Sequence, residues 1–139
     1  MTFGPAGRLA VAEAGTNAVQ TFRVRSDGSL ALLGSLSTGQ AATCWIVRDG
    51  SRLYLSNAGS ANLTGVGVGR AGSLALLGQT ATGAGTVDAA VTPSGRFLYV
   101  QTGATGAVDA FAVHPDGSLT TLGSVLVPGA AGGEGIVAT

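Results

Sequence analysis

One short phrase occurs three times in this chain of 139 residues, and its spacing constrains the fold more than any other feature. The three copies read SDGSLALLG, RAGSLALLG and PDGSLTTLG. Their first glycines, Gly28, Gly72 and Gly117, are 44 and 45 residues apart. A period of about 40 to 45 residues with four short strands per repeat is typical of the blades of a β-propeller.

Turn and strand signals follow one order within each repeat. In the second repeat, a turn at residues 48–51 precedes a strand pattern at 53–56, and a loop rich in glycine and asparagine follows at 57–62. Short apolar runs separated by such turns are typical of β-hairpins. The sequence therefore predicts an all-β fold of four-stranded blades.

The repeat count predicts a single partial β-propeller domain over residues 1–139, with about three blades. We expect the blades at residues 1–40, 41–83 and 84–129, and an extra inner strand at 134–139. Propellers close with four to eight blades, so three blades alone would leave apolar faces and strand edges in water. Either copies of the chain associate as a homo-oligomer, or N-terminal blades of a longer propeller are missing.

Composition excludes several classes of function. Although 45% of residues are hydrophobic, 24 glycines interrupt every apolar stretch, so no transmembrane helix and no membrane partner are expected. Seven arginines balance seven acidic residues and lysine is absent, which argues against binding to nucleic acid. The first residues lack the pattern of a signal peptide, and a cytoplasmic location is the default expectation.

The chain contains one cysteine, Cys44, and one histidine, His114. A single cysteine cannot form an internal disulfide, and a single histidine cannot build a zinc site alone. His114 lies in a His-Pro-Asp-Gly segment, where a solvated turn residue is the simplest interpretation. No cofactor is therefore predicted, although clustered carboxylates could hold a divalent cation.

The segment PSGRFLYV at residues 93–100, followed by VDAFAV at 108–113 and DGSL at 116–119, resembles the blade motif of the lactonase family of seven-bladed propellers. That family includes propeller-type 6-phosphogluconolactonases and 3-carboxymuconate cyclases. Segments 13–17 and 39–45 are similar to bacterial members known only as lactonase-like. The resemblance covers essentially the whole chain and would match the C-terminal three blades of a protein more than twice as long.

The resemblance implies a lactonase-like protein that hydrolyses a small lactone once the ring is complete. Cyclase-type relatives imply histidine and arginine at the channel mouth, where this chain offers acids and amides instead. Because blade motifs specify fold strongly and chemistry weakly, two alternatives stay open. The chain could be a noncatalytic module that binds a small ligand or a protein, or a truncated fragment without independent function.

In such propellers the first strand of each blade is innermost. The loops that enter these strands, together with the loops after the second strands, would surround one mouth of the central channel, which is the default ligand site. Small polar residues, one thiol and one indole fall there. The predicted ligand-binding residues are Glu13, Asn17, Gln40, Thr43, Cys44, Trp45, Asn57 and Gln101.

Two carboxylates are the candidate catalytic residues, Asp88 and Glu134. Each stands two residues before an apolar pair, and Cys44 stands two residues before the pair 46–47, so the three are predicted to be equivalent. Clustered carboxylates raise one another's pKa, and lactone hydrolysis needs a general base and oxyanion donors. Alternatively, Asp88 and Glu134 are acids at the starts of strands, exposed to water, and Cys44 is a small buried side chain. Trp45 is either a platform on which a ring-shaped ligand stacks or an aromatic residue of the core.

The arginines concentrate at the opposite end of the blades. Arg8, Arg52 and Arg96 are each 44 residues apart, which predicts one shared position in the repeat. Repetition of this kind favours a structural role over a catalytic one.

Overall fold

The fold is seen in a computed structural model that describes residues 1–4 and 7–139, and this part of the chain forms twelve strands and no helix. The described part of the chain therefore contains no helix that is long and apolar enough to cross a bilayer. The strands are β1 (Thr2–Gly4), β2 (Arg8–Glu13), β3 (Ala18–Val24), β4 (Leu30–Ser37), β5 (Thr43–Asp49), β6 (Arg52–Asn57), β7 (Asn62–Val68), β8 (Leu74–Ala81), β9 (Thr86–Val91), β10 (Phe97–Thr102), β11 (Ala107–Val113) and β12 (Leu119–Leu126).

The strands form three antiparallel sheets of four, each in simple sequence order from inner to outer strand. These are the blades, with β1, β5 and β9 as the innermost strands. β5 and β9 lie against one another, and β2 and β1 contact β5, so consecutive blades pack side by side. The predicted all-β partial propeller of three blades is confirmed.

Two apolar clusters hold the blades together. Between the second and third blades, Tyr54, Leu98 and Phe111 are fully buried in one cluster. Between the first and second blades, the cluster is built from smaller side chains, including Ala10 and Val19. The core thus lies between the sheets, where the flat faces of neighbouring blades exclude water.

The glycine of the repeated phrase joins consecutive blades. Gly72 has a φ of +86° and its carbonyl accepts a hydrogen bond of 2.7 Å from the Thr21 hydroxyl of the first blade. Gly117 has a φ of +89° and its carbonyl accepts a hydrogen bond of 3.1 Å from the Tyr54 hydroxyl of the second blade. The glycine of the phrase therefore accepts a hydrogen bond that links neighbouring sheets, and this bond is the latch between blades.

Two arginines make a second connection between blades. Arg8 donates to the backbone carbonyls of Gly69 and Arg70, and Arg52 donates to that of Pro115, in each case reaching the next blade. The structural role predicted for Arg8 and Arg52 agrees with these contacts.

The predicted equivalence fails for Arg96. In the second blade Arg52 pairs with Gly67. The residue at the corresponding position of the third blade is Phe97, which pairs with Ala112. The third repeat contains one more residue before this point, so Arg96 falls one position earlier. Its guanidinium lies 5.4 Å from the centre of the Phe97 ring instead.

The extra inner strand predicted at residues 134–139 does not form. This segment is described in full and belongs to no sheet. A strand needs a neighbour whose backbone groups pair with its own, and no second strand of a further blade is beside it. A hydrogen bond of 3.2 Å from the Ile136 amide to Asp88 Oδ2 holds it against β9.

Candidate functional site

The predicted mouth exists as a set of adjoining loops. The loop after β6 contacts the loop that enters β5, through a hydrogen bond of 3.0 Å from the Ala58 amide to the Ala42 carbonyl. The loop after β10 contacts the loop that enters β9 in the same way, from Gly103 to the Gly85 carbonyl at 2.8 Å. Repeated loop pairs therefore place the predicted residues of neighbouring blades around one end of the inner strands.

Thr43 and Asn57 form the buried centre of this end in the second blade. The Thr43 hydroxyl donates to Asn57 Oδ1 at 2.6 Å, and Asn57 Nδ2 donates to Asn62 Oδ1 at 2.7 Å and to Thr64 Oγ1 at 2.8 Å. Both side chains are 0% exposed. A buried amide with its groups bonded internally rigidifies its surroundings, so these two residues position the loops and do not face a ligand.

Three other predicted ligand residues also bond to their neighbours. Asn17 Oδ1 accepts from the Thr43 amide at 3.1 Å, which ties the first blade to the second. Gln40 Oε1 accepts from Asn62 Nδ2 at 2.6 Å. Glu13 Oε2 accepts from the Thr16 hydroxyl at 3.2 Å within its own loop. All three side chains stay half-buried, at the surface of the mouth.

Asp88 and Gln101 lie at one level of the third blade. Gln101 sits in the irregular step between Val100 and Thr102, opposite the part of β9 that contains Asp88. Asp88 is half-buried, and its two oxygens accept from the Ala89 amide at 2.9 Å and the Ile136 amide at 3.2 Å.

Gln101 is 9% exposed, and its Oε1 is buried without a hydrogen-bond partner among the residues that the structure describes. It lines a cavity of about 180 Å³ together with Ala107, Val127 and Ile136. Because a buried unsatisfied oxygen is costly, an amide carbonyl of this kind beside a cavity is suited to accept a hydrogen bond from a ligand or water.

Cys44 and Glu134 are close enough to influence one another. Burial raises the pKa of the Cys44 thiol above its usual value, and the Glu134 carboxylate raises it further. Glu134 itself is exposed, and Trp45 beside Cys44 is half-buried. The segment that contains Glu134 is held at the loop after β10 by a hydrogen bond of 2.7 Å from the Gly132 amide to the Gly103 carbonyl.

The predicted equivalence of Cys44, Asp88 and Glu134 is wrong. Thr43 pairs with Asn57 and Trp45 pairs with Ser56, so Cys44 is the extra residue of a β-bulge. β9 contains a similar irregularity, since Thr86 pairs with Thr102 and Ala89 pairs with Val100. The error lies in the choice of apolar pair, because Ile46 corresponds to Ala89 and not to Ala90. The pairing makes Trp45 the counterpart of Asp88, and Glu134 belongs to no strand.

Sequence reasoning missed Asp109, on β11. It is only 8% exposed, and its Oδ2 accepts a hydrogen bond of 2.7 Å from the Gly83 amide, in the loop that leads to β9. The sequence does contain a signal for it, because Asp109 is an acidic residue inside the apolar run 107–113. A carboxylate buried in such a strand requires a hydrogen-bond partner. Asp109 positions the mouth loop of its blade.

The residues 1–4 and 7–139 contain no group of three or more histidine, cysteine or acidic side chains arranged to hold a metal ion.

We expect Cys44 in the folded protein to react with iodoacetamide more slowly than an unhindered thiol at pH 8. Its raised pKa lowers the thiolate fraction, and the thiolate is the nucleophile. The rate, followed by mass spectrometry, should keep rising with pH above the range in which an ordinary cysteine has already levelled off. Protein unfolded in urea is the control, and equal rates in both states would contradict the burial of the thiol.

Comparison with known proteins identifies relatives of this fold. A sequence profile of the family described as "Lactonase, 7-bladed beta-propeller" matches residues 16–132. A search of curated proteins found no match.

Among solved structures, a periplasmic gluconolactonase of Pseudomonas aeruginosa is 22% identical with a TM-score of 0.81, and the match covers 91% of this chain and 39% of that one. A functionally unknown protein of Desulfotomaculum acetoxidans is 20% identical with a TM-score of 0.79, covering 94% and 44%. A protein of Lactobacillus plantarum is 17% identical with a TM-score of 0.79, covering 89% and 40%. At these identities the likeness concerns the fold, and the chain spans about two fifths of each structure.

Proposed function

Since this chain belongs to the lactonase family of seven-bladed β-propellers, we propose that it supplies part of a channel mouth at which a small lactone is hydrolysed. The observation that carries the proposal is the family match over residues 16–132. The likeness to a gluconolactonase suggests a sugar lactone as the substrate class. The mouth described above offers carboxylates and amides, which suit an uncharged, hydroxyl-rich ring.

Glu134 is the general base in this proposal. Its carboxylate is exposed, so it can reach a water molecule. The nearby Gly132 amide bonds to the Gly103 carbonyl, in the loop after β10, at 2.7 Å. Asp88 acts as a positioning residue, because its Oδ2 accepts from the Ile136 amide at 3.2 Å and so anchors the segment that contains Glu134. Gln101 contributes an amide beside the neighbouring cavity.

The proposed step is the addition of water to the acyl carbon. Glu134 takes one proton from the water molecule while the water oxygen bonds to the carbonyl carbon of the lactone. The carbonyl oxygen becomes an oxyanion. Backbone N–H groups of the rim loops and the side-chain Nε2 of Gln101 are the proposed donors to that oxyanion. The bond from the acyl carbon to the ring oxygen then breaks, and the ring oxygen leaves as a hydroxyl with the proton from Glu134. The product is the open hydroxy acid.

The test is acid release from glucono-δ-lactone, measured above its spontaneous hydrolysis. Glu134→Gln should lower kcat by roughly 10²- to 10⁴-fold, because it removes the base. Asp88→Asn should lower kcat less, since the amide oxygen can still accept one backbone N–H. The two roles differ in the pH profile, which Glu134→Gln flattens on its acidic side and Asp88→Asn leaves in shape.

Asp27→Asn is the matched control. Asp27 is an exposed carboxylate in the turn at the other end of the first blade, where it accepts from Ser29, and its replacement should leave hydrolysis unchanged. Equal rates for wild type, Glu134→Gln and Asp88→Asn would contradict the carboxylate mechanism and favour a noncatalytic binding module.

Completion of the ring by a second copy is part of this proposal. The two end blades carry exposed apolar side chains, with Phe3 62% exposed on the first blade and Val125 67% exposed on the third. Apolar groups at blade faces favour contact with another blade. The hydrolysis assay is therefore paired with light scattering, in which active material should have a mass at least twice the 13.5 kDa of one chain. Activity confined to a monomer would show that ring completion is not required.

A further inference from the structure

A cavity of about 220 Å³ lies between the first and second blades, at the end opposite the mouth. Its walls come from β1, β2 and β3 on one side and from β5, β6 and β7 on the other. The inner part is apolar, with Leu9, Ala10 and Leu53 among the lining residues. This cavity is separate from the candidate site that contains Asp88 and Glu134.

Three arginines line the same cavity: Arg8, Arg48 and Arg70. No acidic side chain lines it in the part of the chain that the structure describes. Arg8 and Arg48 donate to backbone carbonyls, which leaves their charge uncompensated, and Arg70 is exposed. An apolar interior with a cationic rim is complementary to a small molecule that combines a hydrophobic body with an anionic group.

The next interface shows what this cavity lacks. Between the second and third blades, the ring of Tyr54 is fully buried, and Tyr54 pairs with Gly65 across the strands. At the same position of the first blade stands Ala10, which pairs with Thr21. Thr21 replaces the hydrogen bond of the tyrosine, because its hydroxyl donates to the Gly72 carbonyl as that of Tyr54 donates to Gly117. The hydrogen bond is conserved between the two interfaces, but the aromatic ring is absent from the first.

A carboxylate is absent as well. In the second blade Asp49 pairs with Arg52 across the strands, and the two side chains form a salt bridge of 3.0 Å. In the first blade Gly4 stands opposite Arg8 in the same arrangement. A Cβ at Gly4 would have its nearest contact 3.7 Å away, at Arg48, so this position has room for a larger group.

The missing ring and the missing carboxylate belong close together. Arg52 and Tyr54 lie two residues apart on β6, as Arg8 and Ala10 do on β2, so the two side chains of each pair project from one face of the sheet. Asp49 reaches Arg52 at 3.0 Å on that side of the second blade. A small molecule that packs beside Ala10 in the cavity can therefore also reach the guanidinium of Arg8.

We propose that the cavity between the first and second blades binds a small aromatic carboxylate. The ring lies in the apolar part of the cavity, beside Ala10 and Leu53, and the carboxylate faces Arg8 and Arg48 as Asp49 faces Arg52. A planar guanidinium can donate two parallel N–H hydrogen bonds to such a carboxylate. The ligand would bridge two blades and hold them together.

Titration calorimetry with benzoate tests this inference, with benzamide and hexanoate as comparison ligands. Benzoate should bind saturably at one site. Benzamide should bind at least about tenfold more weakly, because it lacks the charge-assisted bonds to arginine. Hexanoate should also bind more weakly, because it lacks the ring. Absence of saturable benzoate binding, or equal binding of either comparison ligand, would overturn the proposal.

Two variants locate the site. Ala10→Tyr should abolish benzoate binding by filling the cavity with the side chain of the next interface, and Gly4→Asp should weaken it at least about tenfold by pairing with Arg8. Tyr54→Phe, in the other interface, is the control and should bind benzoate like wild type. Should Ala10→Tyr fail to fold, Gly4→Asp decides the question, and unchanged affinity in it would overturn the assignment.

Discussion

Replacing Tyr54 by alanine is expected to lower the free energy of unfolding by about 3 to 5 kcal/mol. The side chain is 0% exposed and belongs to the cluster that joins the second blade to the third. Its removal leaves a cavity lined by Leu98 and Phe111 and takes away the donor to the Gly117 carbonyl. The unfolding midpoint in urea, followed by tryptophan fluorescence, measures the effect.

Tyr54→Phe separates packing from hydrogen bonding. It keeps the ring and removes only the hydroxyl, so we expect a cost of about 1 kcal/mol. If alanine and phenylalanine at this position cost the same, the packing of the ring between blades would not be the main source of stability there.

Replacing Gly72 by alanine is expected to lower the free energy of unfolding by about 2 to 4 kcal/mol, through a strained φ and a steric clash. Gly72 has a φ of +86°, which L-residues rarely adopt, and an added Cβ would lie 2.8 Å from the Cβ of Leu33 in the first blade. Because a Cβ is fixed by the backbone, relief requires the two blades to move apart. The midpoint of urea unfolding again measures the loss.

Gly28→Ala is the matched control for this prediction. Gly28 occupies the same place in the repeated phrase and has a φ of +83°, but nothing lies within 4 Å of an added Cβ. We expect it to cost about 1 to 2 kcal/mol, which is the backbone contribution alone. Equal losses at Gly28 and Gly72 would contradict the steric contact between blades.

The repeat made the fold predictable, because a period of this length admits few architectures. Period and turn chemistry are local properties of the chain, and they survive in the structure as three sheets whose turns carry Gly28, Gly72 and Gly117. The structural role of Arg8 and Arg52 followed from the same repetition.

The candidate site was less predictable, because its geometry depends on single-residue irregularities and on contacts between blades. The turn between β9 and β10 is longer than the turn between β5 and β6, so Arg96 and the apolar pair 90–91 each stand one position away from the residues they were matched with. A shift of one position reverses the face on which a strand residue lies. Thr43 and Asn57 looked like ligand residues because polar side chains in a mouth and polar side chains in a buried network have the same composition. Only their hydrogen bonds distinguish the two.

The latch between blades gives the array a polarity. In each joint the donor belongs to the earlier blade and the accepting glycine carbonyl to the later one, as in the bond from Tyr54 to Gly117. Tyr99 occupies the donor position of the third blade and Gly28 the acceptor position of the first. A copy added in the same manner would join head to tail, which is a heterologous contact. Such contacts either close into a ring or continue as a filament. The rotation between blades therefore determines whether the assembly closes or keeps growing.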